Sequence, residues 1–385
     1  DMHKLWDDLK TSGCPIAHTD RYGGVWLPLT HEMVHEIAYD TDHFSSEGPV
    51  VGQLKPSEVP DRIGAPIGPV PPISSDPPFH AEARRLLLPA FSPKKIDPWR
   101  EEVIEICNKL IDDMGDANHI DAALQYSQHI PVMVIARMLG LPVEDGDRFR
   151  GWVNLVLSGI GEERTEERMA KFEEFNQYLA YHVNDHMENP REDLISFLLN
   201  AEIMGQKLSL EHTVGTVILL LIAGIDTTWS GIGSSLWHLA SNSVDRRRLV
   251  ENPDMIPAAI EEFLRAYAPV TMARVVKEDM EFHGVQMKQE DWVLLPFPAA
   301  NRDDKQFADA HVVQIDREEN RHAAFGLGIH RCLGSNLARL EMNVAIEVFL
   351  QRFPDFSVDP NEMVTWSTGQ VRGPRSLPFV VNARA

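Results

Sequence analysis

The chain of 385 residues has only three cysteines, Cys14, Cys107 and Cys332. Their wide, unpatterned spacing excludes a disulfide framework and a four-cysteine metal site, and it fits a reducing, cytoplasmic compartment. Basic charge is also in short supply: 36 Lys and Arg stand against 58 Asp and Glu, a formal net charge of −22. Such a surface repels phosphate backbones and anionic lipid, so neither nucleic acid nor a membrane is an expected partner. The longest apolar run, Val214 to Ile225, spans 12 residues and contains Gly215 and Thr216. It falls short of the roughly 20 residues of a bilayer span and reads as a buried helix. The chain start shows no charged-then-apolar export pattern, and no internal repeat or interdomain linker interrupts the sequence.

What is present is largely helical. Val103, Ile106, Cys107, Leu110, Ile111 and Met114 fall at i, i+3, i+4, i+7, i+8 and i+11, which places Cys107 on a packed face. Cys14 lies in a Gly-Cys-Pro turn of no evident chemistry. Helical patterns follow over 121–140, 145–160, 164–188 and 192–203. A long one runs over 210–241, opened by Ser209 as cap and roughly 45 Å long at 1.5 Å per residue. Its midpoint must be central, and Asp226 lies there. A shorter helix is expected around 254–268, and a last one over 333–353 carries Leu333, Leu337, Leu340, Val344 and Val348 on one stripe. Strand signals are fewer: Gly24 to Pro28, and hairpins around His283-Gly284 within 274–295. The segment 48–78, dense in proline, is a long loop of the kind that often carries function. The expectation is a mainly α fold with a smaller β portion, closed as one domain over 1–385.

Three motifs carry chemistry. Phe325-Gly326-Leu327-Gly328-Ile329-His330-Arg331-Cys332-Leu333-Gly334 delivers a cysteine to the first turn of a helix, where N–H groups and the helix dipole favour the thiolate, the metal-binding form. Gly328 and Gly334 allow close backbone approach to a flat cofactor. A dinucleotide loop is the competing reading of these glycines, but Arg331 stands where its third glycine belongs. Glu262 and Arg265, three apart, share one helix face. Ala223-Gly224-Ile225-Asp226-Thr227-Thr228 sets a carboxylate inside the apolar helix, where an unpaired charge costs several kcal/mol, so Asp226 needs a partner or a wet cavity. A bland alternative makes Thr227 a hydroxyl bonded to the backbone four residues back.

Together these motifs resemble the cytochrome P-450 family. Phe325, Gly328, Cys332 and Gly334 match its haem-binding signature, Glu262 and Arg265 its Glu-x-x-Arg motif, and Ala223 to Thr228 its oxygen-activation motif. The resemblance implies the P-450 fold, with haem b (iron protoporphyrin IX) held between the long central helix and the cysteine-ligand loop. It assigns Cys332 as iron ligand, and Asp226 and Thr227 to the protons of O2 activation. It makes Glu262, Arg265 and Arg317 a structural ion-pair network, and His80, Arg84, Arg274 and His330 contacts to the haem propionates. Ala223 borders the cofactor. The activity implied is monooxygenation of a small apolar substrate, of terpenoid, steroid or aromatic type. Its pocket is expected along Leu219, Ile222, Ala223, Val270, Thr271 and Met272 and part of the 48–78 loop. With no flavin or nicotinamide motif of its own, the chain is expected to draw electrons from a ferredoxin and ferredoxin reductase, docking near Arg85, Arg331 and Arg339. A haem-thiolate gas sensor and a peroxide-driven enzyme are the rival readings.

Overall fold

The computed structural model describes residues 2–11, 16–52, 55, 57, 70–158, 165–367 and 369–384. Cys14 and most of the proline-rich loop, 53–54, 56 and 58–69, lie outside the described residues.

The molecule is organised by the helix Leu210–Ser241, which packs against the helices His129–Leu139, Gly146–Ser158, Glu166–Glu188, Leu194–Leu199 and Ser335–Arg352. Ser209 opens it, its side chain accepting a hydrogen bond from the His212 amide. Asn242 closes it and opens the next helix, Ser243–Glu251, by accepting from the amides of Val244 and Asp245. By length and composition this helix is apolar enough to cross a bilayer, although the apolar run inside it is short, because small residues rather than charges fill its second half. Most of its surface is instead buried in protein: Val217, Leu221, Ile225, Ile232, Leu236 and Leu239 are fully covered. Each such side chain contributes about 1.5–3 kcal/mol of burial.

The β portion is small. One five-stranded sheet runs in the order Ile16–Thr19, Val25–Pro28, Trp292–Leu295, Met272–Val276, Phe44–Ser45. It carries Arg274 in its fourth strand. The expected hairpin turns at His283-Gly284 between Met280–Phe282 and Val285–Met287. A three-stranded sheet joins His119–Asp121 to the C-terminal strands Asp355–Val358 and Pro378–Ala383.

Two expectations shift here. The helix expected over 121–140 is preceded by the strand His119–Asp121, opens as a π-helical turn over Ala123–Ser127 and continues as an α-helix over His129–Leu139. The Asp121 carboxylate accepts from the amides of Ala123, Leu124 and Leu377 and from the Ser376 hydroxyl, opening this helical turn and tying it to the C-terminal strands. The helix after Cys332 starts at Ser335 with Gly334 as its cap. Cys332 therefore precedes the helix instead of lying in its first turn.

The helix Ile256–Ala266 carries the most completely buried charges in the molecule. Glu262 and Arg265 are both fully covered and face each other through two hydrogen bonds of 2.7 Å. Arg265 also donates to the carbonyls of Asn301, Ala310 and Val312. Glu262 accepts from Arg317 Nε at 3.0 Å, from the Gln314 amide and from Asn320. One helix turn thus fastens the irregular segment 301–320 that leads to the cysteine. Removing either charge leaves the other buried and unpaired, at a cost of about 3–5 kcal/mol. Glu262→Ala is expected to lower the unfolding free energy by that amount in denaturant titration; a loss under 1 kcal/mol contradicts the role.

Candidate active site

Cys332 ends a tight turn. Its amide donates to the Phe325 carbonyl at 2.7 Å, and the Arg331 amide donates to the Gly328 carbonyl. Gly328 sits at φ +67°, and a Cβ there would collide with the Ala38 carbonyl. The glycine is required by the neighbouring helix His31–Tyr39, in addition to any approach to a cofactor. The Cys332 side is exposed although protein crowds around it. That crowding pushes the thiol up; the Gly334 N–H at the sulfur and the charges of Arg84, Arg331 and Arg339 pull the other way. The protein alone does not secure the thiolate, and coordination to a metal cation would supply the remaining stabilisation.

Beside this turn the structure gathers His80, Arg84, Arg274 and His330. The rings of His80 and His330 lie 4.1 Å apart. Arg84 donates to the Arg331 carbonyl. Arg274 is buried in its strand and donates to its neighbour's carbonyl. Burial, with the fields of Arg84 and Arg274, takes His80 down to about 4. Burial, Arg274, His80 and Arg84 together take His330 to about 2. Burial lowers Arg274 to about 10, with Asp76 as the one opposing acid. The Nε2 atoms of both histidines are buried without a hydrogen-bond partner in the protein. Two arginines beside two neutral imidazoles, each with an unpartnered ring nitrogen able to donate in one tautomer, are complementary to a ligand bearing carboxylates.

On the central helix, Ala223 is exposed at mid-length, flanked by half-buried Leu219, Ile222 and Thr227. An exposed alanine in the middle of a core helix shows that protein does not pack against this point of the helix. Thr227 Oγ1 donates to the Ala223 carbonyl at 2.8 Å, the backbone bond of the bland reading. Asp226, 5% exposed, is not alone. Arg375 Nη2 hydrogen-bonds its Oδ2 at 2.8 Å and lies 2.7 Å from Oδ1. Burial pushes the Asp226 carboxyl above the ordinary range, and Arg375 partly reverses this. Val270, Thr271 and Met272 are each half-buried. Their turn is held by residues that local pattern does not reveal: Val270 bridges Val371, the Thr271 amide donates to the Gln370 carbonyl, and Gln370 Nε2 meets Met272 Sδ at 3.4 Å.

With this geometry in place, the comparisons are consistent. The cytochrome P450 family model matches residues 123–374. The chain is 33% identical to the mycinamicin IV hydroxylase/epoxidase of Micromonospora griseorubida, over 92% of this chain and 89% of that one. It is 35% identical to the nocardicin C N-oxygenase of Nocardia uniformis subsp. tsuyamanensis, over 98% and 95%. Its structure superposes on Bacillus megaterium CYP109E1 in complex with testosterone with a TM-score of 0.89 at 30% identity, covering 100% of this chain and 98% of that one. The chain belongs to the cytochrome P450 family. It has that family's fold and is a monooxygenase-type oxidoreductase, and the family implies a haem, which would lie between the central helix and the Cys332 turn. The donor set fits the cofactor: a cysteine sulfur with one N–H directed at it, two arginines and two unpartnered imidazole nitrogens for two propionates, and a small exposed residue on the central helix.

One expectation about the surface changes. Arg339 holds Glu261 through bonds of 2.7 and 2.8 Å and stacks on the Phe325 ring at 4.4 Å, so its charge is committed inside the fold. Arg85 pairs with Glu82. Of the three arginines expected to form a docking patch, Arg339 drops out. Burial raises the Glu261 carboxyl, but Arg339 and His322 outweigh it and carry it from 4.5 to about 2. A carboxylate held below its unfolded value stabilises the fold above about pH 4.5, and loses that contribution as pH falls toward 2. At about 1.4 kcal/mol per unit the gain is at most ~3.5 kcal/mol; discounted for a side chain 30% exposed, it is about 1–2 kcal/mol. Glu261→Gln is expected to lose that much at pH 7 and to flatten the stability curve between pH 4.5 and 2. An unchanged acid limb contradicts the assignment.

Proposed function

We propose that this chain, acting as one haem-binding domain, is a haem b monooxygenase that places one atom of O2 into a compact lipophilic substrate of terpenoid, steroid or aromatic type. The observation that carries this reading is the Cys332 turn, with the Gly334 N–H at its sulfur, beside a cluster of buried His80 and Arg274 and half-buried Arg84 and His330. Cys332 is the iron ligand; the guanidinium groups of Arg84 and Arg274, with the neutral rings of His80 and His330, hold the propionates; Ala223, Phe325, Gly328 and Gly334 line the cofactor. Haem, when bound, supplies the activation of O2.

The protein manages protons and position. Thr227 faces the cavity with its own hydrogen occupied by the Ala223 carbonyl, so its oxygen is free to accept from a water or a proton donor at the site. Asp226, one residue earlier, carries protons toward that hydroxyl. Leu219, Ile222, Val270 and Met272 shape an apolar pocket, and the likeness to a CYP109E1 structure holding testosterone supports the steroid branch of the substrate class. Electrons come from a separate ferredoxin and its reductase, with Arg331 exposed beside the cysteine as one docking charge. Few cysteines and bacterial relatives support a cytoplasmic setting. Glu262, Arg265 and Arg317 act through the fold.

The test begins with a steroid, terpenoid and aromatic panel, choosing a compound that shifts the haem spin state. Reductant consumed, product formed and hydrogen peroxide released are then measured with a surrogate ferredoxin and reductase. Thr227→Ala is expected to consume reductant at near wild-type rate while releasing most of it as peroxide. Asp226→Asn is expected to slow turnover by about 10²-fold. Unchanged coupling in Thr227→Ala contradicts the proton role.

A further inference from the structure

Arg375 lies on the short strand Pro374–Ser376, 149 residues from Asp226, and no motif in the sequence points to it. Its guanidinium is fixed from several sides. It reaches both Asp226 oxygens, lies 3.3 Å from the Ser230 hydroxyl and stacks over the Trp229 ring at 4.3 Å. All three partners come from one turn of the central helix, so the fork grips the turn that follows Ala223.

The backbone behind Arg375 is set by contact. A Cβ on Gly373 would collide with Ser230, and one on Gly233 would come within 3.3 Å of Pro374. On its far side the strand is tied to Asp121 by the Ser376 hydroxyl and the Leu377 amide. Strand and helix therefore meet at van der Waals distance, and the arginine has little freedom to aim elsewhere. Among the described residues, Arg375 is the one charged group whose field acts appreciably on Asp226.

We propose that Arg375 is a positioning residue for oxygen activation: it fixes the Asp226 side chain and holds its negative charge, so that Asp226 carries a proton only by exchanging it against this ion pair. The inference rests on the reading of Asp226 as proton carrier. Its consequence has a definite sign. An opposite charge at contact distance favours the carboxylate by about 1–3 pH units. Without Arg375 the buried carboxyl keeps its proton to higher pH and becomes a static neutral acid.

The experiment is an infrared pH titration of the haem-loaded enzyme, with the Asp226 carboxyl band assigned by subtracting Asp226→Asn. Arg375→Met is expected to move the midpoint upward by at least about one unit, and to move the pH profile of turnover in the same direction. Arg375→Lys, which restores the charge without the fork, is expected to bring the midpoint back toward wild type. Arg375→Gln serves as the uncharged variant should the methionine enzyme not accumulate, with the same upward shift expected. A midpoint that is the same in wild type and in the uncharged variant overturns the inference. Failure of the underlying reading is seen elsewhere: Asp226→Asn would then turn over and couple like wild type, whatever the titration gives.

Discussion

Everything on the cysteine side of this molecule depends on a salt bridge that water never reaches. Glu262 and Arg265, both fully covered, spend their hydrogen-bonding capacity on each other and on the segment 301–320, where they reach three carbonyls, one amide, Arg317 and Asn320. A buried pair of this kind contributes little net stability against an apolar replacement, because desolvation consumes most of the Coulomb attraction. What it provides is a single arrangement. Segment 301–320 has almost no regular structure, and only a side-chain network can give such a chain one path. The turn at Phe325 to Gly334 begins where that path ends.

The same logic recurs at smaller scale around the site. Glu261, next to Glu262, reaches Arg339 on the helix that follows the cysteine, and Arg339 in turn covers Phe325. The cysteine turn is thereby held at both ends by adjacent residues of one helix. Across the site the central helix is held against the C-terminal strands by the contact of Gly373 with Ser230 and by Arg375 with Asp226. Two rigid walls with their charged groups fixed beforehand suit a reaction in which a misplaced proton wastes electrons, since preorganised groups need no rearrangement when charge develops.

Much of this was legible in the sequence, and the parts that were not share a cause. The central helix appears with the bounds its pattern predicts, Leu210–Ser241, because cap, periodicity and terminus are local signals. The cysteine turn, the Glu-x-x-Arg pair and the Ala-Gly-x-Asp-Thr-Thr segment are local too. Asp226 was marked as needing a partner, but no local pattern could name Arg375, since an ion pair between residues 149 apart leaves no spacing to read. Likewise Gly328 reads as a site glycine, whereas the Ala38 carbonyl on a helix near the chain start also demands it. The strand that ends at Asp121, and the bonds of Asp121 to Ser376 and Leu377, involve partners equally remote. Arg339 looked free because its acid is 78 residues away.

The proposed site rests on the Cys332 thiolate as ligand of a haem iron, and the absorption spectrum of the reduced protein under carbon monoxide reads that ligand directly. A thiolate pushes electron density onto the iron and moves the Soret band strongly to the red. The wild-type protein is predicted to show that red-shifted band, and Cys332→His to lose it while keeping the melting behaviour of the parent fold. A wild-type spectrum of the histidine-ligated type, or a red-shifted band that survives in Cys332→His, would contradict the assignment.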